Sequence, residues 1–344
     1  MKTGSLFSGY GGLDMAVNAY FGSDTAWFVE YDTAPSKILA HHWPEIPNHG
    51  DVTTIDWTTV EPVDILTGGY PCQPFSAAGR RQGTNDERHL WPYVREAIRH
   101  LRPRYTVLEN VAGHRSLGFD RVLGDLAEDG MHVRWTSIRA SDVGACHHRE
   151  RLFILVTDPH GDAVREQPVT QSWRSSSTVV RRSRSDASDA DSFRRGQSER
   201  QPCAGEPKES ADFRSVPVFS DTPGGGRDGW PPESIRQPKA RTPASRGGED
   251  ARRIEWGDYT PAVRRWERVT RPAPSPTEPN SNDRPRLNAA FAEWMMGLPD
   301  GHVTAVPGLS RAEQLKAIGN GVCPPQAYQA LTILNSLTRI ETAS

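Results

Sequence analysis

Gly4-Ser5-Leu6-Phe7-Ser8-Gly9-Tyr10-Gly11-Gly12-Leu13-Asp14 runs a short apolar strand into a glycine turn, and a helix-compatible stretch follows from Leu13 to Tyr20. Glycines let the backbone come close to a ligand, and a helix start presents unpaired amides. The turn is not the dinucleotide fingerprint, because Gly9-Tyr10-Gly11-Gly12 lacks the second glycine spacing. A tight turn with no ligand fits the same residues equally well. Next, Ala26-Trp27-Phe28-Val29 reads as a strand ending at Glu30. An acidic residue about twenty positions after a glycine loop is placed to accept hydrogen bonds from ribose hydroxyls. Asp51, in Gly50-Asp51-Val52, is a third candidate contact, although an isolated aspartate there is more simply a turn or helix cap.

Strands and helices go on alternating to about Thr157. Apolar runs predict strands near 3–7, 26–29, 63–67, 105–108, 132–138 and 152–156, with helices near 13–20, 34–42, 91–101 and 119–129. This alternation argues for an α/β fold with a doubly wound, mostly parallel sheet. Ligands of such sheets gather at the carboxyl ends of the strands. One of those ends leads into Thr67-Gly68-Gly69-Tyr70-Pro71-Cys72-Gln73-Pro74-Phe75-Ser76. A single cysteine there, braced by prolines and glycines, stands where a nucleophile is held. Free cysteine is also among the most buried residue types, so an inert core side chain is the competing reading.

Tyr105-Thr106-Val107-Leu108-Glu109-Asn110-Val111 delivers a carboxylate to the same edge as Cys72. A buried carboxyl beside a nucleophile can stay protonated and donate, or activate a ring nitrogen. Cys146-His147-His148-Arg149-Glu150-Arg151 enters another strand. Arg149 and Arg151 alternate and are therefore expected on one face, a fork for phosphate or a base carbonyl. Taken alone, Arg-Glu-Arg is a solvated patch.

Together these segments resemble the DNA cytosine carbon-5 methyltransferase family. Phe7 to Gly12 is similar to that family's S-adenosylmethionine motif, Pro71-Cys72-Gln73 to its nucleophile loop, and Glu109-Asn110-Val111 to its acidic motif. Arg149 and Arg151 match its paired arginines, and Ala317-Ile318-Gly319-Asn320-Gly321-Val322 its last motif. The five stand in the family's order, and the matched blocks cover residues 1–158 and 284–344. The chain departs from the pattern at His147, where the family usually has glutamine, at Cys146, which replaces a proline, and at Gly321, which replaces a common serine.

The resemblance implies a Rossmann-like methyltransferase domain with a smaller, irregular target recognition domain. It implies S-adenosyl-L-methionine as cofactor, no metal, and a cytosine flipped out of double-stranded DNA. Cys72 would attack carbon 6 of the base, Glu109 would bind ring nitrogen 3 and the exocyclic amine, Arg151 the carbonyl oxygen, and Arg149 would support the loop or a phosphate. For the cofactor, Phe7, Gly9, Gly11, Gly12 and Leu13 would surround the methionine moiety. Glu30 would take the ribose and Asp51 the adenine amine, with Val52 against the ring. Pro71, Leu90, Asn320 and Val322 are further carry-overs, whereas Trp91 reads as core. A transfer-RNA cytosine methyltransferase of the same superfamily, a non-catalytic DNA-binding relative and an unrelated nucleotide-binding oxidoreductase are the rival readings. The first two share the fold. The third is disfavoured by the glycine spacing and the Pro-Cys-Gln loop.

Composition fits that picture. The 344 residues are enough for a full α/β core and a second lobe. Cys72, Cys146, Cys203 and Cys323 stand far apart without metal spacing, as free thiols of a reducing cytosol do. No apolar run reaches membrane length, and the amino terminus lacks a signal-peptide pattern. A formal net charge of -2 supplies no bulk attraction to nucleic acid, so a DNA footprint must come from local patches. A cytoplasmic monomer is expected, in a bacterial or phage-infected cell, with a cognate restriction endonuclease as a candidate partner.

Three regions follow: a catalytic, cofactor-binding domain over 1–158, a target recognition region over 159–283, and a return to the catalytic domain over 284–344. In the middle region Arg174, Arg181, Arg182, Arg184, Arg194, Arg195 and Arg200 are interleaved with Ser and Thr, which suits phosphate and base-edge contacts. A low-complexity, disordered insert is the alternative there. Trp230, Ile254, Trp256, Tyr259, Val263 and Trp266 are expected to build a small core, and Arg264, Arg265 and Arg268 on a helix over Ala262–Val269 then face either DNA or, as a solvated helix face, water. Helices are also expected from Leu287 to Met296 and from Pro324 to Leu337.

Overall fold

A computed structural model describes residues 1–71, 90–159 and 254–341, all of which fall in one compact unit. Strands β1 (Lys2–Leu6), β2 (Asp24–Val29), β3 (Ile65–Gly68), β4 (Tyr105–Val111), β5 (His132–Arg139) and β6 (Glu150–Thr157) form one sheet in the order β2-β1-β3-β4-β6-β5. The pairs β1–β2, β1–β3 and β3–β4 are parallel, and β6 runs antiparallel to both β4 and β5. The chain goes from β1 out to β2 on one side and then to β3 on the other. The turn after β1 therefore lies at the sheet's topological switch point, where a ligand crevice opens.

Helices α1 (Gly12–Phe21), α2 (Thr33–His42), α3 (Trp91–Leu101) and α4 (Phe119–Glu128) lie close to their expected places. Neighbouring residues of the central strands go to opposite faces. Ile65, Val107, Phe153 and Leu155 pack with Leu13 and Val17 of α1 and with Leu331 and Leu334 of α8 (Pro324–Glu341). Leu66, Leu108, Leu152 and Ile154 pack with Val94 and Ile98 of α3 and with Val122 and Leu126 of α4. Coverage on both faces is why these strands read as unbroken apolar runs. Trp91 is buried in the second cluster, the core role expected of it.

Helix α5 (Thr260–Val269) buries Val263 and Trp266, and Trp266 Nε1 donates to the Trp294 carbonyl at 2.9 Å on α6 (Ala289–Met295). The Trp256 ring stacks on Phe291 of the same helix. Trp256 and Trp266 of the expected cluster thus pack onto α6, while Trp230 lies outside the described residues. Of the three arginines read as facing either DNA or solvent, Arg264 pairs with Glu267 and Arg265 donates to the Gly144 carbonyl. Leu287 is not helical: it belongs to a hairpin of β7 (Thr277–Pro279) and β8 (Pro285–Leu287), and Asn288 caps α6 by accepting from the Ala290 amide. Helix α7 (Arg311–Asn320) was not anticipated, although its reciprocal Ser310–Glu313 capping box is legible in the sequence. Among the described residues no helix is long and apolar enough to cross a membrane.

Candidate active site

The register aligns the carboxyl ends of three strands, with Leu6 opposite Gly68 and Gly68 opposite Leu108. Phe7, Gly69 and Glu109 therefore emerge side by side. A cavity of about 40 Å³ lies there, walled by Phe7, Gly9, Gly12 and Leu13 from the glycine turn, Gly69 and Glu109 from the strand ends, and Asn320, Gly321 and Val322 from the end of α7. Phe7 has φ 52, a left-handed conformation costly for a residue with a side chain. Its amide is nevertheless held by the Val29 carbonyl at 2.8 Å. Gly9 and Gly11 also have positive φ, and a Cβ on Gly9 would meet nothing within 4 Å. The turn thus leaves open space at Gly9, while Gly11 is packed against Trp43 and Gly12 against Tyr10 and Val322. The amides that begin α1 are the feature a small anionic or zwitterionic ligand needs.

Glu30 caps the outer side of the turn. Its Oε2 accepts from the Gly9 amide at 2.8 Å and its Oε1 from the Asp32 amide at 2.8 Å, and burial raises its pKa. Beside it Tyr31 is 79% exposed, a large aromatic face at the end of β2. Asp51 Oδ1 accepts from the Thr53 amide and hydroxyl, capping a short 3-10 turn that buries Val52.

The last motif is packed onto the turn through Tyr10. This fully buried phenol donates to the Val322 carbonyl at 2.7 Å. A Cβ on Gly321 would stand 1.8 Å from its ring, which gives the serine-to-glycine departure a physical reason: the ring occupies that space. His302 Nε2 donates to the Tyr10 carbonyl at 2.9 Å, with its pKa lowered to about 4 by burial, so the donor is the neutral imidazole. The loop carrying His302 is itself gathered by the buried Glu293 carboxylate, which accepts from the amides of Gly301, Val303 and Thr304.

Glu109 and Arg151 form a buried ion pair, Nε to Oε1 at 3.0 Å. Arg151 is opposite Val111 in the antiparallel β4–β6 ladder, which makes Glu109 its diagonal neighbour on the same face. Arg149 departs from expectation. It precedes β6 with φ 28, so the period-two argument that set both arginines on one face does not apply. Its Nη2 donates to the carbonyls of Gly319 (2.9 Å) and Gly321 (2.8 Å), and its own carbonyl accepts from Gln326 Nε2 at 2.8 Å. His147 is half-buried and donates through Nε2 to the Met295 carbonyl at 2.9 Å, with its pKa lowered to about 4 by desolvation. Burial pushes the Cys146 thiol up to about 12 and the Cys323 thiol up to about 11.

Cys72 lies outside the described residues, but the chain leading to it is held firmly. Asn110 Nδ2 donates to the Tyr70 carbonyl at 3.0 Å. His114 Nδ1 is engaged with the Leu117 carbonyl at 2.9 Å, so its Nε2 accepts from the Tyr70 hydroxyl at 2.9 Å. Pro71 is exposed, and Leu90 is half-buried against the core cluster that holds Trp91.

The cavity wall thus unites Phe7, Gly9, Gly12, Leu13, Glu109, Asn320 and Val322, residues far apart in sequence. Glu30 joins them through Gly9, and Arg149 and Arg151 join through the last motif and Glu109. Gly11, Asp51, Val52, Pro71 and Leu90 stand outside its wall. Tyr31 and Asp14 were missed by sequence reading. An aromatic directly after a strand-end acid was the available signal for Tyr31, whereas nothing in the sequence marks Asp14 as buried. Among the described residues no cluster of three or more His, Cys, Asp or Glu side chains could hold a metal ion.

Comparison with known proteins agrees with this geometry. Type II methyltransferase M.HgiCII of Herpetosiphon aurantiacus is 31% identical over 158 residues, 44% of this chain and 36% of that protein. Type II methyltransferase M.NgoBI of Neisseria gonorrhoeae is 34% identical over 159 residues, 45% of this chain and 50% of that one. The chain spans half or less of the length of these relatives. The crystal structure of S. pombe Dnmt2 methyltransferase superposes with a TM-score of 0.55 over 98% of this chain and 99% of that one at 14% identity, which establishes a shared fold. The model of the C-5 cytosine-specific DNA methylases matches residues 1–334. With its crevice, strand-end carboxylate and returning last motif in one place, the chain belongs to the C-5 cytosine-specific DNA methylase family.

Proposed function

We propose that this chain methylates carbon 5 of cytosine at a specific sequence in double-stranded DNA, with S-adenosyl-L-methionine as donor. The observation that carries the reading is the buried Glu109–Arg151 pair, set beside an open glycine turn and above the segment that leads into Pro71-Cys72. The turn suits the donor: open space at Gly9 and the amides that begin α1 for its amino-acid end, and Glu30 for the ribose hydroxyls. Tyr31 offers the adenine ring a stacking face. Asp51 would accept from the adenine amine and Val52 would pack on its edge. Pro71, Leu90, Asn320 and Val322 would complete the enclosure.

Carbon 5 of cytosine is a weak nucleophile while the ring is aromatic. Addition of the Cys72 thiolate at carbon 6 breaks aromaticity and moves electron density to carbon 5. Glu109 holds ring nitrogen 3 and the exocyclic amine, where charge develops, and Arg151 holds the carbonyl oxygen and fixes the carboxyl's orientation. Arg149 acts at one remove, tying the last motif to the strand that bears Arg151. S-adenosylmethionine, when bound, supplies the electrophilic methyl group. Loss of the carbon-5 proton and departure of Cys72 then restore the ring. A stacked base cannot be reached in this way, so the cytosine is flipped out of the duplex. Residues 159–283 would read the sequence. A monomer that shares its target with a cognate restriction endonuclease is part of the same proposal.

Bisulfite sequencing of DNA from a methylation-free host expressing wild type or Cys72→Ala tests the reading. Methylcytosine at one recurrent motif in the wild type and none in the variant is expected. Methylation that persists in Cys72→Ala refutes the nucleophile, and its absence from both moves the substrate to RNA, transfer RNA first.

A further inference from the structure

One buried carboxylate beside the cavity has no part in this chemistry. Asp14, in the first turn of α1, is almost fully buried and belongs to the cavity wall with Ser5 and Thr67. Its oxygens accept from the Ser5 hydroxyl at 2.9 Å and the Thr67 hydroxyl at 2.5 Å. No cationic side chain pairs with it among the described residues, whereas Glu109, in the same wall, is matched by Arg151. Burying a carboxylate without a counter-ion is costly, and two hydroxyls could be held as well by a neutral side chain. Desolvation pushes its pKa up to about 6 in spite of both bonds.

We infer that Asp14 is the counter-charge for a cationic group of the bound donor, an inference that rests on the function proposed above. The amides at the start of α1 attract a ligand's carboxylate, and Asp14 lies immediately behind them. A zwitterionic amino-acid end therefore meets opposite charges at its two poles. The donor carries two cations, the α-ammonium of its methionine and the sulfonium, and the shared chemistry is a cation beside a desolvated carboxylate.

Calorimetric binding of three ligands to wild type and Asp14→Asn separates the outcomes. S-adenosylmethionine carries both cations, S-adenosylhomocysteine only the ammonium, and 5′-methylthioadenosine neither, while all three share the nucleoside. The variant is expected to bind S-adenosylmethionine about tenfold or more weakly, the scale of one charge-assisted contact. It should bind 5′-methylthioadenosine as the wild type does. A parallel loss for S-adenosylhomocysteine assigns the ammonium, and an unchanged value assigns the sulfonium. An equal loss for all three ligands, or none for any, overturns the inference.

Should the amide variant not fold, the wild type still decides. At pH 6, in buffers of different ionisation enthalpy, S-adenosylmethionine should release more protons on binding than 5′-methylthioadenosine. A cation beside Asp14 lowers its pKa, whereas Glu30 faces the nucleoside common to all three ligands. Glu109, Arg149 and Arg151 are the other charged groups near the cavity, and they already bond to one another or to the last motif. Equal release overturns the inference. A wild type that binds none of the three ligands refutes the proposed donor instead.

Discussion

At the scale of single residues, the site depends on a few side chains whose environments conflict with their chemistry. Asp14 is the sharpest case. Its folded pKa of about 6 lies above the ordinary 3.8, so the folded state holds this proton more tightly than the unfolded chain. Stability from this group is therefore fully present below about pH 4 and is lost as pH rises toward 6. The full cost above that window is about 3 kcal/mol, since each unit is worth about 1.4 kcal/mol. In the ligand-free protein, Asp14→Asn should gain in urea midpoint over the wild type at pH 7 and lose that advantage near pH 4.5. A difference independent of pH contradicts it. Tyr10 and Gly321 form a second such pair. Gly321→Ser should cost about 1–3 kcal/mol by overpacking against the phenol. In the Tyr10→Ala background the same substitution should cost at least about 1 kcal/mol less. Equal costs in both backgrounds, from denaturant titration, would show that the ring is not what excludes the side chain.

At the scale of elements, the amino-terminal end of β6 sends its two arginines to different tasks. Arg149, in a left-handed conformation just before the strand, braces the carbonyls of Gly319 and Gly321, and Arg151 pairs with Glu109 one diagonal away. Their substitutions should therefore fail differently. Arg149→Met should weaken S-adenosylhomocysteine about tenfold by loosening the end of α7, the effect of two lost charge-assisted bonds partly offset by relaxation. Arg151→Lys keeps the charge but not the guanidinium geometry. It should preserve that affinity and slow single-turnover methyl transfer about a hundredfold. Identical profiles for the two variants would refute the division of labour. The period of two in Arg149-Glu150-Arg151 suggested a common fork, and the backbone break at Arg149 removed it. By contrast, the β-α alternation and the apolar runs placed nearly every element of the sheet, because strands covered on both faces have little freedom in composition.

At the scale of the whole molecule, the cavity wall is assembled from segments that begin and end the chain. Turn, strand ends and last motif all come from residues 1–71, 90–159 and 254–341. Deletion of residues 165–225 should therefore leave S-adenosylhomocysteine binding intact while erasing the recurrent sequence context of methylation. An unchanged methylation motif would show that the segment does not read DNA. The fold class, the order of the motifs and half of the residues that wall the crevice were legible in the sequence, because glycine turns, strand-end acids and apolar periodicity are local features of the chain. What those residues touch follows from packing. The antiparallel entry of β6 sets Arg151 diagonal to Glu109, and the return of the carboxyl-terminal segment puts Gly321 under Tyr10. Burial leaves Asp14 without a cationic partner among the described residues. Each of these depends on contacts between segments far apart in the chain, and desolvation arises only once those segments have packed.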